Sequence, residues 1–180
     1  MTLDRTQVGS IGERLCISKL IKFGWTVEDL NFAKANHPNS DLKIAKGNIS
    51  LYVQVKASAK MASRGRGGDV TAGSVSPALF NGASIFNRST KGPPCEFVVF
   101  LSEILAKPRY FVLPVDNAEK LFRRNIDFYF LSPKLNGGVK SLKGQADIFV
   151  GNGAFPHARI VPDQRAEILV FEEGWDHLVG

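Results

Sequence analysis

The sequence feature that most constrains the fold is a pair of alternating segments joined by a short turn. Residues 41–45 alternate between polar and apolar side chains, and residues 49–57 alternate again. Such alternation is typical of strands with one buried face. The intervening Lys46-Gly47-Asn48 consists of residues that favour a tight turn, so the sequence predicts a β-hairpin. Its second strand has one apolar face and one polar face: Leu51, Val53 and Val55 against Tyr52, Gln54 and Lys56.

The register of this hairpin brings three polar side chains together. If Gly47 and Asn48 form a two-residue loop, facing residues have numbers that sum to 95, and Asp41 lies opposite Gln54. Lys56 lies on the same face, about 6.5–7 Å further along the strand. A carboxylate, an amide oxygen and an ammonium group can hold a divalent cation and orient a water beside it. The alternative interpretation is a cross-strand salt bridge between Asp41 and Lys56.

A helix is predicted before the hairpin. Residues 4–23 have a broad apolar face at helical spacing, and Gly24 ends the pattern. Glu13 falls inside the apolar sector, where a carboxylate is costly unless it is paired or bound to a metal. It is therefore a candidate for the same site. The alternative is a Glu at the helix edge that pairs with a lysine such as Lys56.

The rest of the chain completes the prediction of an α/β fold. Residues 97–101 and 110–113 are apolar runs, typical of strands covered on both faces. Asp116 and Glu119 have the spacing of a capping box for a helix through Arg124. Weaker patterns indicate a short helix at 77–87, a short strand at 128–131 and a last helix that begins at Pro162, with Ala166, Leu169 and Val170 facing inward.

Length, composition and cysteine content exclude several classes of protein. With 180 residues, of which 44% are apolar, the chain is expected to form one domain, residues 1–180, and not to be disordered. No apolar run reaches the length of a membrane span, and the N-terminus has no secretory pattern, so we expect a cytoplasmic protein without a membrane partner. Cys16 and Cys95 have neither zinc nor redox spacing and are expected to be buried.

Basic residues are concentrated in the middle of the chain. The net charge is +6, but residues 54–143 carry 14 basic and 6 acidic side chains, net +8, whereas residues 144–180 are net −4. A basic region of this kind predicts a polyanionic partner such as nucleic acid. The candidate contacts are Lys60, Arg64 and Arg66 in a glycine-rich segment directly after the hairpin, and Arg88 and Lys91 further along. A plain solvated surface is the alternative for both groups.

The ordered motifs of residues 8–58 resemble those of a known nuclease superfamily. They are Gly9-x-x-Gly12-Glu13, Gly24-Trp25, Ser40-Asp41-Leu42-Lys43-Ile44 and Tyr52-Val53-Gln54-Val55-Lys56-Ala57-Ser58. This set is similar to the PD-(D/E)XK superfamily of restriction-endonuclease-like fold, which includes Holliday-junction resolvases and restriction and homing endonucleases. The resemblance implies a mixed central β-sheet flanked by helices.

The resemblance also implies a role for each candidate residue. Asp41 and Glu13 would bind Mg²⁺ or Mn²⁺, with Gln54 and the backbone carbonyl of Val55 completing the metal site. Lys56 would orient the attacking water and offset charge on the phosphate. Gln54 departs from the family pattern, which has Asp or Glu there. The departure is expected to weaken Mg²⁺ binding, because carboxylates are the principal ligands of this cation.

These expectations combine into a Mg²⁺-dependent endonuclease that hydrolyses phosphodiester bonds of duplex or branched DNA. Cleavage of both strands of a duplex needs two active sites, which favours a homodimer. Two alternatives stay open. One is a nucleic-acid-binding protein of nuclease fold whose catalysis is weakened or lost, for which Gln54 is the clue. The other is an assembly protein with no nucleic-acid role.

Overall fold

The described part of the chain contains both helices and strands. The computed structural model describes residues 3–33, 37–58, 69–74, 84–105, 107–131, 145–149, 161 and 163–179. In chain order the elements are α1 (Arg5–Lys22), β1 (Thr26–Asp29), α2 (Leu30–Ala33), β2 (Leu42–Lys46), β3 (Ile49–Ala57), β4 (Asp69–Ser74), β5 (Phe97–Ser102), β6 (Arg109–Pro114), α3 (Val115–Leu131), β7 (Gln145–Phe149), α4 (Gln164–Leu169) and a 3₁₀ helix (Trp175–Val179).

A mixed five-stranded sheet forms the centre of the molecule. Its strand order is β1-β2-β3-β5-β6, and β4 pairs with β7 in a separate two-stranded sheet. Within the large sheet β3 and β5 are parallel, and the other neighbours are antiparallel. This arrangement confirms the predicted α/β fold with a mixed central sheet flanked by helices.

The predicted hairpin and its register are confirmed. β2 pairs with β3 so that Leu42 faces Val53 and Lys46 faces Ile49, and the numbers of both pairs sum to 95. Gly47 has a φ of 59°, in the left-handed region that the first position of a two-residue hairpin loop favours. Because the turn has only two residues, it leaves no freedom for the strands to slip, and the polar face of β3 is set by the sequence.

Helices cover both faces of the large sheet, and alternation along the strands decides which side chain meets which helix. On one face Val55 packs in a cluster with Cys16 and Leu20 of α1. On the other face Phe100 packs against Phe122 of α3, with ring centroids 5.6 Å apart. Two apolar layers on one sheet explain why β5 and β6 read as continuous apolar runs. Both cysteines are buried, as expected.

The prediction of a strand at 128–131 is wrong, because these residues form the last turn of α3. Aromatic residues favour strands, but the apolar stripe of the helix continues from Phe122 to Ile126, and both side chains are buried. Packing of that stripe on the sheet overrides local propensity. The capping box is also wrong, since α3 begins at Val115 and Asp116 lies within its first turn.

The end of the chain differs from the prediction in which side chains face inward. α4 begins at Gln164 and has six residues. Ile168 is buried, whereas Leu169 and Val170 are 42% and 69% exposed and Ala166 is exposed as well. Six residues are too few for periodicity to determine a face. Of the predicted helix at 77–87, residues 77–83 lie outside the described part, and residues 84–87 are not helical.

None of the helices in the described ranges is both long enough and apolar enough to span a membrane.

Candidate active site

Asp41 lies one residue before β2 and is bonded to β3 on both sides of Gln54. Its backbone N–H donates to the carbonyl of Val53 at 3.0 Å, and its Oδ2 accepts the N–H of Val55 at 2.7 Å. Where β2 begins, the side chain of Asp41 thus supplies an acceptor to a backbone donor of β3. These two bonds hold Asp41 against β3 at the two residues that flank Gln54.

Gln54 and Lys56 lie on the face of β3 opposite to α1. Their neighbours in the parallel strand are Val98 and Phe100, whose side chains face α3. The side-chain oxygen Oε1 of Gln54 is buried and has no hydrogen-bond partner in the described part of the chain. An unpaired buried oxygen is costly, and native proteins rarely leave one without a donor or a cation. Gln54 therefore presents an unused acceptor on β3, next in sequence to the residue whose N–H bonds to Asp41.

Glu13 reaches the same region from α1. The preceding residue, Gly12, is buried, and a Cβ atom placed on it would lie 2.4 Å from the Cβ of Ala57. The helix can therefore approach the end of β3 closely only because residue 12 is glycine. This approach fixes how far the Glu13 carboxylate stands from the strand.

The electrostatics of Glu13 show that acidic groups gather here. Burial, and after it the negative charges of Asp41 and Asp29, raise the pKa of Glu13 to about 7. The positive charge of Lys56 and a hydrogen bond from Asn31 act in the opposite direction. Carboxylates whose negative charges repel one another in this way attract a cation.

Neither alternative ion pairing of these residues is observed in the part of the chain that the structure describes. Lys56 forms no ion pair with Asp41, so the hairpin does not carry a cross-strand salt bridge at this point, and it forms none with Glu13. The positive charge of Lys56 nevertheless lowers the pKa of Glu13, so its ammonium group is near enough to act on that carboxylate. Asp41 and Lys56 therefore both act on the charge of Glu13 at this end of the sheet, and neither carboxylate forms an ion pair with the Lys56 ammonium.

Asn31 also contacts Asp41, and no sequence pattern singles it out, because it lies in a four-residue helix without periodicity. Its Nδ2 donates to Oδ1 of Asp41 at 3.1 Å. The adjacent Leu30 donates its backbone N–H to the carbonyl of Asp41 at 3.0 Å. The helix α2 therefore holds both the main chain and the side chain of Asp41.

A second polar network joins the turn before Asp41 to the loop that carries Arg88 and Lys91. Asn39 donates to the carbonyl of Ser89 at 2.8 Å and accepts the N–H of Ser89 at 2.9 Å. Within the loop, Arg88 donates its Nε to the carbonyl of Ile85 at 2.8 Å, whereas Lys91 is exposed. The sequence-predicted contacts Lys60, Arg64 and Arg66 lie outside the described residues.

The loop is anchored from its other side by Glu119, the residue predicted to close a capping box. Its Oε1 accepts the hydroxyl of Ser84 and the backbone N–H groups of Ile85 and Phe86, the former N–H at 2.6 Å. A carboxylate that accepts several donors makes strong hydrogen bonds. Glu119 therefore shapes the loop that borders the site, and it does not serve the start of α3.

Comparison with known proteins supports the fold. A solved structure titled "The structure of a bacterial homing endonuclease: I-Ssp6803I" is similar to this chain with a TM-score of 0.55 and 22% sequence identity. The similarity covers 99% of this chain and 92% of the other. At this identity the likeness shows a shared nuclease-like fold. No family model matches the chain, and no curated protein matches it.

The described residues offer a divalent cation only a sparse set of oxygen donors. In the ranges that the structure describes, no three or more His, Cys, Asp and Glu side chains stand close enough to hold a metal. The available donors are two carboxylates, Glu13 and Asp41, and the unused oxygen of Gln54. Oxygen donors are those that Mg²⁺ and Mn²⁺ prefer. Because Gln54 is neutral where a carboxylate would bind Mg²⁺ more strongly, this donor set favours weak binding of the cation.

Proposed function

We propose that the chain is a divalent-cation-dependent endonuclease of the PD-(D/E)XK type that hydrolyses DNA. The observation that carries the proposal is the buried, unpartnered Oε1 of Gln54, whose neighbour Val55 donates its backbone N–H to the carboxylate of Asp41. Glu13 and Lys56 lie within the same electrostatic field. The nuclease-like fold shared with a homing endonuclease structure supports the same conclusion.

Each residue then has a distinct role. Asp41, Glu13 and Gln54, with the carbonyl of Val55, would hold Mg²⁺ or Mn²⁺. When bound, the cation would supply an acidified water and would neutralise charge on the phosphate. Lys56, which neither carboxylate engages, would hold the attacking water and the phosphate oxygens through its ammonium group.

The surrounding basic residues would bind the DNA backbone. Lys91 is exposed on the loop that Asn39 ties to the turn before Asp41, so a phosphate on Lys91 would have a defined position relative to the site. Arg88 keeps most of its guanidinium donors beyond the bond that its Nε makes. Lys60, Arg64 and Arg66 follow β3 and would add contacts in the same region. A homodimer would place two such sites on a duplex.

A second candidate function is DNA binding without efficient catalysis. The observation that favours it is the neutral Gln54 at a position where a carboxylate would bind Mg²⁺ more strongly. This protein would bind DNA with a strong dependence on salt, because the contacts are to phosphate.

The test is cleavage of plasmid, branched DNA and RNA by the purified protein with Mg²⁺ or Mn²⁺. We expect DNA cleavage that falls by about 100-fold or more in Asp41→Asn and in Lys56→Met, since each removes a group that acts at the reacting phosphate. Asp127→Asn and Lys22→Met are matched controls, because both side chains are exposed on the surface of other elements. Cleavage at the wild-type rate in Asp41→Asn and Lys56→Met would overturn the proposal.

The same preparation separates the alternatives. Salt-sensitive DNA binding without cleavage supports the second candidate, and appearance of cleavage in Gln54→Glu would identify the missing carboxylate as the reason. Absence of both binding and cleavage at low salt contradicts every nucleic-acid role and favours the assembly protein. Sedimentation of the free protein and of its DNA complex tests the homodimer.

A further inference from the structure

Asn31 occupies a central position in the hydrogen bonds around the candidate site. Its backbone N–H donates to Oδ1 of Asp29 at 2.9 Å, and its side-chain Oδ1 accepts the backbone N–H of His37 at 2.9 Å. Its remaining group, Nδ2, donates to Oδ1 of Asp41 at 3.1 Å. The residue thus connects the end of β1, the turn before β2 and the carboxylate of Asp41.

The bond from His37 determines which end of the Asn31 amide faces the acidic groups. A backbone N–H can only donate, so the carbonyl end of the amide must point toward His37. The NH₂ end, with two hydrogens, therefore points toward Asp41, to which it donates. A carbonyl in that position would repel the Asp41 carboxylate.

The two oxygens of the Asp41 carboxylate are held by different donors. Oδ1 accepts Nδ2 of Asn31 at 3.1 Å, and Oδ2 accepts the N–H of Val55 at 2.7 Å. Rotation of the carboxylate about its Cβ–Cγ bond would break both bonds. With Val55 alone the group would have one attachment and would be free to turn away from Glu13.

We propose that Asn31 is a positioning residue, whose amide holds the Asp41 carboxylate beside Glu13 before a cation or DNA arrives. The proposal rests on the proposed function for its purpose, but its geometry does not depend on cleavage. Groups that orient a ligand of this kind lower the cost of ordering the site when it is used. Asn31 acts through Asp41 and does not touch the substrate.

Two substitutions separate the bond that Asn31 donates to Asp41 from the bond that it accepts from His37. Asn31→Ala removes both side-chain bonds. Asn31→Asp keeps an oxygen for the N–H of His37 and nearly the same shape, but it has no donor for Asp41. The control is Asn48→Ala, a chemically identical change at the exposed tip of the hairpin. Asn39→Ala is a second comparison, since it loosens the turn without touching the Asp41 carboxylate.

The first measurement is the amide proton resonance of Val55 in cation-free protein. This N–H bonds to the Asp41 carboxylate, so its chemical shift reports the orientation of that group. We expect the resonance to move upfield in Asn31→Ala and Asn31→Asp, and to stay in place in Asn48→Ala and Asn39→Ala. If Asn31→Ala does not fold, the near-isosteric Asn31→Asp gives the same information.

The second measurement is Mn²⁺ binding followed by electron paramagnetic resonance. We expect Asn31→Ala to lower the affinity by about 10- to 100-fold, the usual effect of removing a residue that orients a metal ligand. A Val55 resonance that does not move in a folded Asn31 variant overturns the proposal, and so does wild-type Mn²⁺ affinity in Asn31→Ala.

Failure of the proposed function gives a different result. If the wild-type protein binds Mn²⁺ but cleaves no nucleic acid, the nuclease proposal fails. The role of Asn31 is then still decided by Mn²⁺ affinity and by the Val55 resonance. If the wild-type protein binds no Mn²⁺, the Val55 resonance alone decides whether Asn31 orients Asp41.

Discussion

Single side chains in this site carry both structural and chemical tasks. Asp41 supplies an acceptor that β3 lacks where β2 begins, and it is also the best candidate for a metal ligand. Glu13 lies half-buried beside it and has a pKa raised to about 7, first by burial and then by the charges of Asp41 and Asp29. Strongly shifted pKa values are typical of functional sites, because binding and catalytic groups need pKa values suited to their task.

Glu13 should make stability depend on pH. Between its ordinary pKa of 4.5 and about 7, the folded protein holds a proton that the unfolded chain has released. The free energy of unfolding therefore falls as pH rises through this window. Because solvent reaches about half of the group, we expect a loss of about 1–2 kcal/mol. Glu13→Gln should be more stable than wild type above pH 7 and equal to it below pH 4.5.

Urea denaturation from pH 4 to pH 8 with a chelator present measures this difference. Glu28→Gln, an exposed change on β1, is the control and should follow the wild-type pH dependence. A wild-type-minus-Glu13→Gln difference that is constant over this range would show that the carboxylate is not strained.

Among the elements, the contact between α1 and β3 determines the geometry of the site. Gly12 is the closest point of approach, and the facing Ala57 is the last residue of β3. Glu13 follows Gly12 in the helix and is a candidate site residue. The packing distance of α1 on β3 therefore sets how closely the Glu13 carboxylate approaches the end of the strand.

Gly12→Ala should destabilise the fold although alanine favours helices. The new Cβ would lie 2.4 Å from the Cβ of Ala57, an atom fixed to the backbone, so the helix must move. We expect a loss of about 1–3 kcal/mol, typical of overpacking. The double variant Gly12→Ala with Ala57→Gly should recover stability, because it returns the space.

Gly9→Ala is the matched control for this prediction. It lies one turn earlier in α1, and a Cβ there meets nothing within 4 Å. It should raise stability by about 0.5–1 kcal/mol, the usual gain for glycine to alanine in a helix. Thermal or urea denaturation compares the four proteins. If Gly12→Ala is as stable as Gly9→Ala, the close approach does not limit α1.

At the scale of the whole molecule, the C-terminal segment closes one edge of the sheet. The N–H of Val112 in β6 donates to the carbonyl of Phe171, and the N–H of Glu173 donates to the carbonyl of Tyr110. Trp175 then stacks on Phe23 at the end of α1, with ring centroids 5.7 Å apart. Covering an edge strand removes a surface that would otherwise pair with other chains. The acidic C-terminal region thus has a structural task.

The ion pair that fastens this segment should be worth about 1–3 kcal/mol, since it is bidentate and partly buried. Arg109 bonds to Glu172 through Nε at 2.6 Å and Nη2 at 2.7 Å. These bonds hold the pKa of Glu172 below its ordinary value of 4.5. The stabilisation is therefore present above pH 4.5 and is lost as pH falls below it.

Glu172→Gln tests the ion pair by urea denaturation at pH 7 and at pH 3. It should be less stable than wild type at pH 7, and the difference should shrink as the pH is lowered to 3, because the unfolded chain takes up a proton at Glu172 below pH 4.5. Asp176→Asn is the control, because Asp176 is exposed on the neighbouring 3₁₀ helix. Equal stability of Glu172→Gln and Asp176→Asn at pH 7 would contradict the assignment.

The sequence by itself determined the hairpin, its register and the polar face of β3. These follow from alternation and from a two-residue turn, which are local and act between residues close in the chain. It also determined that α1, β5 and β6 exist, because long periodic or apolar runs allow few structures. Four candidate residues, Glu13, Asp41, Gln54 and Lys56, were found in this way.

Only the tertiary structure decided the rest. Residues 128–131 joined α3 because the sheet buried the apolar stripe of that helix. Glu119 was predicted to cap α3, but it accepts hydrogen bonds from the loop at 84–86, whose donors lie 33–35 positions earlier in the chain. Asn31 became part of the site through contacts with Asp41 that no periodicity encodes. Hydrogen bonds between segments distant in sequence depend on the packed fold, and local patterns carry no record of them.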